Sequence, residues 1–174
     1  MRLFAIFLFS LAFLAACNQP ATVTFSMDYV SEVVVPSSTG VTLPFDMWTP
    51  EQETDSKAQF EVNDTRKDLV EQITLETCQL SIKYPSDQNF DFLNSIDLYL
   101  TAEGLDEILI ASKKNIPENG SKTITLDPTG KDFKEYIKKD NFTLRVNTKT
   151  DKTVTREVGI EVYTDFSVKA RLID

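Results

Sequence analysis

Apolar and polar residues alternate along much of this chain, and the alternation predicts a series of short β-strands. A period of two places neighbouring side chains on opposite faces of a strand, so that one face can pack into a core while the other meets solvent. The alternating runs lie at residues 23–29, 58–62, 96–100, 122–126 and 142–146, and further strand segments are predicted at 33–35, 41–45 and 105–111.

The longest alternating run is at the carboxyl end, where apolar residues occupy the even positions between 158 and 172, apart from Thr164. The pattern predicts that Val162 and Val168 are buried and that Glu161 and Lys169 are solvated. At about 3.3 Å per residue the run is longer than a typical strand, so a bend is expected near Thr164.

Three other segments depart from simple alternation. The apolar residues between 73 and 84 change parity, which predicts one strand with a bulge near residues 76–77. Asn63 or Asp64 is placed to cap a helical turn that runs to Glu71, and Phe133, Tyr136 and Ile137 have the spacing of a short amphipathic helix. Residues 49–57 are polar and lack an apolar period, which predicts a surface loop.

The number and spacing of these runs predict the fold class. About eight to ten short strands, spaced by about 8 to 12 residues, favour an all-β fold, namely an antiparallel immunoglobulin-like β-sandwich with one or two short helices. A β-barrel is the alternative. The sequence shows no internal repeat and no second-domain boundary, so we expect a single domain over residues 22–174.

The amino-terminal residues have a pattern of their own. Met1 and Arg2 precede an uncharged apolar stretch at 3–14, which is too short to span a membrane but fits the apolar region of a secretory signal peptide. The next residues, Leu14-Ala15-Ala16-Cys17, resemble the lipobox of bacterial lipoprotein precursors at all four positions. An ordinary secretory signal followed by a chance cysteine is the alternative.

The lipobox resemblance implies how the chain is processed and where it resides. Residues 1–16 would be a lipoprotein signal peptide, residues 17–21 a lipidated tether, and Cys17 the lipidated residue through which the protein contacts the membrane. Several acyl chains on one cysteine anchor a protein stably. Asn18 follows Cys17, whereas aspartate there is the retention signal in many two-membrane bacteria, so an outer-membrane location is favoured. In general layout, the mature chain also looks like uncharacterised single-domain β-sandwich lipoproteins of the envelope.

Composition and charge restrict the partners. The chain is 41% hydrophobic and 26% charged, as soluble globular proteins are. Its formal net charge of −9 becomes −10 once residues 1–16, which contain Arg2 and no acid, are removed. Nucleic acid is therefore a poor partner, and so is anionic lipid except through the anchor.

Several kinds of chemistry are unavailable to this sequence. Histidine is absent, which removes Ser-His-Asp and Cys-His catalysis and imidazole-dependent zinc sites. If Cys17 carries lipid, Cys78 is the only thiol left, and it is expected to be a small buried apolar side chain. The five glycines fall in none of the phosphate-binding spacings. The sequence therefore predicts neither a cofactor nor an enzyme.

Asp87, Asn89 and Asp91 have the spacing of the first ligands in a calcium-binding loop. An EF-hand loop needs glycine at the sixth position and an acidic residue at the twelfth, where this chain has Phe92 and Leu98. The three residues are thus candidate metal ligands of a simpler loop site. The competing interpretation is a turn before a strand.

Phe45, Met47 and Trp48 place three large apolar side chains next to the polar segment at 49–57. If they are exposed, they form a platform for a partner protein or a sugar. The competing interpretation is that Phe45 and Trp48 cover one end of the sandwich.

These observations favour a membrane-anchored lipoprotein of the bacterial envelope that acts as a non-enzymatic binding or scaffolding module, with another envelope protein or a glycan as its partner. The first alternative is a carrier of lipid or another apolar ligand, which needs an apolar cavity above about 300 Å³. The second is a glycoside hydrolase, which needs two facing carboxylates in a cleft.

Overall fold

Antiparallel β-strands make up most of the computed structural model, which describes residues 20–37 and 44–173. The strands are β1 (Thr22–Val35), β2 (Pro44–Trp48), β3 (Gln52–Glu53), β4 (Val70–Tyr84), β5 (Leu93–Ala102), β6 (Ile108–Lys114), β7 (Thr123–Thr125), β8 (Asp127–Pro128), β9 (Asn141–Thr150) and β10 (Val158–Arg171). The short helices are α1 (Ser56–Val62) and α2 (Lys134–Ile137), and a 3-10 turn covers Lys67–Leu69.

The strands form two sheets. One sheet has the order β1-β10-β4-β7, and the other has the order β2-β9-β5-β6-β8, with β3 also paired to β9. The predicted antiparallel β-sandwich is therefore confirmed, and it contains two short helices. The chain crosses between the sheets after β1, β3, β4, β6, β7 and β9, which is the connectivity of a jelly roll and not of the expected immunoglobulin-like arrangement, because strands from the two ends of the chain pair side by side.

The space between the sheets is filled by aliphatic and aromatic side chains. Tyr29 contacts Phe142 and Phe166 edge to face, with ring centroids 5.0 and 6.0 Å apart, and Phe133 packs against Phe166 at 6.2 Å. Cys78 is fully buried in this core, as expected, and burial raises the pKa of its thiol to about 12.

The burial and bulge predictions for the two long strands are confirmed. In β10, Val162 and Val168 are fully buried, while Glu161 is partly exposed and Lys169 is exposed. The pairing of β4 with β10 shifts at Glu76, since Leu75 and Thr77 pair with adjacent residues of β10, and this is the expected bulge. The expected bend near Thr164 does not interrupt β10, which pairs with β1 over its whole length.

Two sequence predictions between residues 58 and 71 are wrong. The segment at 58–62, which the alternation predicted to be a strand, lies in helix α1. Its apolar residues do not share one buried face: Phe60 is the single buried apolar side chain of α1, and Val62 is 81% exposed. The helix expected from Asn63 or Asp64 to Glu71 is only the 3-10 turn, after which β4 begins.

The polar segment at 49–57 is not simply a surface loop. Thr49 and Thr54 are buried there because their hydroxyls hydrogen-bond to backbone groups of other segments. The Thr49 hydroxyl accepts from the Leu144 amide at 3.0 Å, and the Thr54 hydroxyl donates to the Lys139 carbonyl at 2.6 Å. Polar composition therefore did not indicate exposure in this segment.

The strand directions define two ends of the sandwich. β1 begins and β10 ends at what we call the near end, where α1, the 3-10 turn and α2 also lie. The connections at 85–92, 115–122 and 151–157 lie at the far end. Within the described residues, no helix is both long and apolar enough to cross a membrane.

Candidate functional site

The three apolar residues singled out from the sequence do not form one platform. They lie on β2, where alternation turns Phe45 and Met47 toward the core and Trp48 outward. Met47 is buried and Phe45 half-buried, whereas Trp48 is 54% exposed. Only Trp48 is thus presented to solvent, and it does not cover the end of the sandwich as the competing interpretation assumed.

The candidate metal ligands have protein hydrogen-bond partners. Asp87 forms an ion pair with Arg156 at 2.9 Å, the Asn89 side-chain oxygen accepts from the Asp91 amide at 3.0 Å, and an Asp91 carboxylate oxygen accepts from the Gly120 amide at 2.9 Å. This is the geometry of a turn tied to the neighbouring far-end loop. In the described ranges, no cluster of three acidic or cysteine side chains could hold a metal ion. Cys17, the expected lipidation site, lies outside the described residues.

Trp48 lies on the outer surface of the second sheet, in a row of outward side chains. Trp48 pairs across the sheet with Arg145 of β9, which in turn pairs with Tyr99 of β5. Asp46 and Asn147 form the next outward-facing pair along β2 and β9. We call the outer surface formed by Asp46, Trp48, Tyr99, Glu107, Arg145 and Asn147 the Trp48 face.

Arg145 is the centre of this face. Its Nε and Nη2 atoms donate to the two carboxylate oxygens of Glu107 at 2.6 and 2.5 Å, and its Nη1 atom donates to Asp46 at 2.5 Å. The guanidinium carbon lies 4.2 Å from the Tyr99 ring centroid and 5.9 Å from that of Trp48. Although it is on the surface, the Arg145 side chain is only 16% exposed.

Asp46 and Arg145 each stabilise the charged form of the other. Hydrogen bonds from Asn147 and Arg145, together with the Arg145 charge, hold the pKa of the Asp46 carboxyl below its usual value against the opposing effect of burial. The pKa of Arg145 is raised, chiefly by its hydrogen bonds to Glu107 and then by Asp46. The face is therefore a fixed array of charges at neutral pH, beside an exposed indole.

A polar cavity of about 560 Å³ opens at the near end of the same sheet. Lys67, Lys138 and Lys139 contribute ammonium groups to it, and Glu51, Glu103 and Asp140 contribute carboxylates. Lys67 and Asp140 form an ion pair at 3.2 Å. The mixed charged lining suits a hydrated polar ligand better than a lipid chain.

The cavity and the Trp48 face share one surface. Thr101 and Thr143 line the cavity and pair with each other, and each lies two residues from Tyr99 or Arg145 on the same face of its strand. Two residues along a strand span roughly 7 Å. The Thr101 hydroxyl is buried and has no hydrogen-bond partner among the described residues.

Sequence reasoning found Trp48 but missed the residues around it. Tyr99 and Arg145 each stand between two apolar residues of an alternating run, which marks them as outward-facing. Their proximity to Trp48 depends on the strand order β2-β9-β5, which no local pattern reveals. Glu107 comes from the turn between β5 and β6 and has no distinguishing signal in the sequence.

Comparison with known proteins does not assign the chain to a family. No protein-family model matches the chain, and no curated protein matches it. Among solved structures, the chain is similar to the decameric BFDV capsid protein, with a TM-score of 0.43 and 8% identity over 87% of this chain and 100% of that one. It is also similar to desmodium yellow mottle tymovirus (TM-score 0.29, 9% identity, 90% of this chain and 91% of that one). Turnip yellow mosaic virus gives a TM-score of 0.31 and 15% identity over 92% of this chain and 88% of that one. Such low scores and identities say nothing about what this chain binds.

Proposed function

We propose that this protein is a lipoprotein of the bacterial cell envelope, anchored through Cys17 in the outer membrane, and that it acts as a non-enzymatic binding module. The anchor is supported by the lipobox-like residues Leu14-Ala15-Ala16-Cys17 behind a short apolar stretch. The binding surface is the Trp48 face together with the adjoining cavity. The partner is a glycan of the envelope.

The observation that carries the proposal is the exposed indole of Trp48 beside a fixed polar array. Aromatic faces stack on apolar surfaces of a ligand at low entropic cost, while fixed carboxylate, amide and guanidinium groups select its hydroxyls. A sugar chain offers both kinds of surface. The cavity of about 560 Å³ beside the face would accept a further polar residue of such a chain.

The two alternatives have less support. A carrier of apolar ligands needs an apolar cavity, but the 560 Å³ cavity has six charged side chains in its lining, and large aromatic residues fill the core. A glycoside hydrolase needs two facing carboxylates. Glu51 and Glu103 both line the cavity, so the hydrolase alternative is tested by assaying the glycan for new reducing ends.

Trp48 provides a direct binding assay because it is the only tryptophan in the chain. Soluble fragments of envelope glycan strands, titrated into the full-length protein in detergent, should change the intensity and wavelength of its emission. In calorimetry, Trp48→Ala should weaken binding by at least about tenfold, as expected for loss of a central aromatic contact. Trp48→Phe should weaken it less.

Val62→Ala is a suitable control, because Val62 is also an exposed apolar residue but lies on α1, away from the face. Equal affinities of Trp48→Ala and Val62→Ala would contradict the proposal. A photo-reactive residue at position 48 that captures an envelope protein, with no response to glycan, would show that the partner is a protein.

The anchor is tested separately. Labelled palmitate should be incorporated into the wild-type chain and not into Cys17→Ser. Normal labelling of Cys17→Ser would show that Cys17 is not the anchor, whatever the outcome of the binding experiments.

A further inference from the structure

The outer strand of the first sheet has an open edge. β1 pairs with β10 over fourteen residue pairs without a register shift, and among the described residues its backbone forms no pairing with any other strand. Proteins usually protect such edges with charged side chains, especially lysine, with proline or with a bulge. β1 contains no lysine, arginine or proline and has no bulge in its pairing with β10.

The outward side chains of β1 alternate between apolar and acidic residues in its second half. Val30 and Val34 are 54% and 41% exposed. Asp28, which precedes Val30 on this face, and Glu32, which lies between the two valines, are also exposed. Half of the strongly exposed large apolar side chains in the described chain, namely Val30, Val34 and Tyr84, lie on this outer surface of the first sheet.

The acidic side chains of β1 lie opposite other acids. Asp28 pairs across the sheet with Asp165, and Glu32 pairs with Glu161. Lys83 neutralises Glu161 at 2.8 Å, whereas Asp28 and Glu32 form no ion pair with a described residue. Like charges directly opposite each other are destabilising in a sheet, so positive charge brought to this edge is favoured.

A groove beneath the β1 edge is also acidic. It has a volume of about 270 Å³ between β1 and the segment that contains β3 and the start of α1. Its lining includes three acids, Asp28, Glu53 and Asp55, and no basic residue. Burial raises the pKa of the neighbouring Tyr29 hydroxyl, and the charges of Asp55 and Asp28 raise it further.

We propose that the edge of β1 is a docking site for an extended basic segment of a partner protein, which adds as a further strand to the first sheet. Lysine or arginine residues of that strand would lie beside Asp28 and Glu32, with aliphatic residues beside Val30 and Val34. Backbone hydrogen bonds along the edge supply affinity in this mode, and the alternating side chains supply specificity. The site lies on the opposite sheet from the Trp48 face and does not depend on it.

A second copy of this chain is a poorer occupant. Antiparallel pairing of two β1 strands with Val30 opposite Val30 places Asp28 opposite Glu32. Pairing Val30 with Val34 places Glu32 opposite Glu32. Pairing Val34 with Val34 opposes no two acids, but it overlaps only residues 33–35 of the two strands. The registers with longer overlap that join the exposed valines therefore place acid opposite acid, which selects a basic partner over a copy.

The test uses a nine-residue peptide, Lys-Thr-Val-Thr-Lys-Thr-Val-Thr-Lys, and the full-length protein in detergent. The control is the same peptide N-methylated at every residue, which keeps the charge but leaves no backbone N–H to donate to β1. Amide exchange followed by NMR should show that alternate amides of β1 become at least about tenfold more protected with the first peptide only. The double variant Asp28→Lys and Glu32→Lys should bind about tenfold more weakly, with circular dichroism confirming that it folds.

Asp151→Lys is the matched variant, because Asp151 is an exposed acid in a far-end loop, and it should bind the peptide as the wild type does. Trp48→Ala should do so too, which separates this site from the Trp48 face. Equal binding of both peptides without β1 protection would overturn the proposal. Protection of the outward β1 amides before any peptide is added would also overturn the proposal, because it would show that a second copy or another part of the chain already covers the edge.

Discussion

Replacing Arg145 by alanine tests whether the Trp48 face is held as a unit. An isolated surface ion pair contributes about 0.2 to 1 kcal/mol, and a cation over an exposed aromatic ring contributes about 0.5 to 1 kcal/mol. Arg145 joins two carboxylates, one of them through both oxygens, and lies on the Tyr99 ring while only 16% exposed. We therefore expect Arg145→Ala to lower the free energy of unfolding by about 2 kcal/mol.

Lys114 provides the comparison on the same sheet. Its ammonium group pairs with Asp97 at 2.6 Å, but its side chain is 57% exposed and pairs with a single carboxylate. Lys114→Ala should cost no more than about 0.5 kcal/mol. Arg145→Lys should fall between the two alanine variants, because lysine keeps the charge but not the planar fork.

The assay is urea unfolding followed by circular dichroism, which does not depend on the Trp48 signal. In thermal unfolding, a loss of 2 kcal/mol corresponds to a decrease of about 4 to 8 °C in Tm for a chain of this size. Trp48 fluorescence should also become less anisotropic in Arg145→Ala, because the indole loses its neighbour. Equal destabilisation by Arg145→Ala and Lys114→Ala would refute the view that Arg145 organises the face.

Three further predictions concern the core and the first sheet. Val168→Ala should lower the free energy of unfolding by about 2 kcal/mol, whereas Lys169→Ala should change it by no more than about 0.5 kcal/mol. Urea denaturation measures both values, and a larger loss for Lys169→Ala would contradict the burial of Val168. The Cys78 thiol, with its pKa raised to about 12 by burial, stays protonated at pH 8, so maleimide should label it only after unfolding, and fast labelling of the folded chain would argue against this packing. Asp28→Asn removes a like-charge pair with Asp165 and should raise the unfolding free energy by about 0.2 to 1 kcal/mol, measurable as a higher urea midpoint; a lower midpoint would contradict the electrostatic argument for β1.

The sequence pattern predicted the long strands well because buried residues alternate with more exposed ones over most of β10 and on each side of the bulge in β4. The even residues of β10 and the change of parity at Glu76 both reflect side chains packed against one core. At 58–62 the same pattern was misleading, because only Phe60 is buried and the other apolar residues meet solvent. A short apolar alternation alone therefore does not distinguish a strand from a helical segment with one buried residue.

The candidate site could be predicted only in part. The alternation of β2 places Asp46 and Trp48 on one face and Met47 on the other, so the exposure of Trp48 follows once the strand is recognised. Arg145 and Tyr99 become its neighbours through pairings between segments about 50 to 100 residues apart in the chain, and such non-local register is not encoded in local periodicity.

The pairing of β1 with β10 has a consequence for how the chain is made. β1 begins at Thr22 and pairs with β10, in which Arg171 lies opposite Thr22. β4 also pairs along β10, so the first sheet lacks its central strand until the carboxyl end has been synthesised. Folding that waits for such distant contacts is slow. The first sheet can therefore assemble only after β10 has been synthesised, so closure of the sandwich is expected to follow the translation of residue 171.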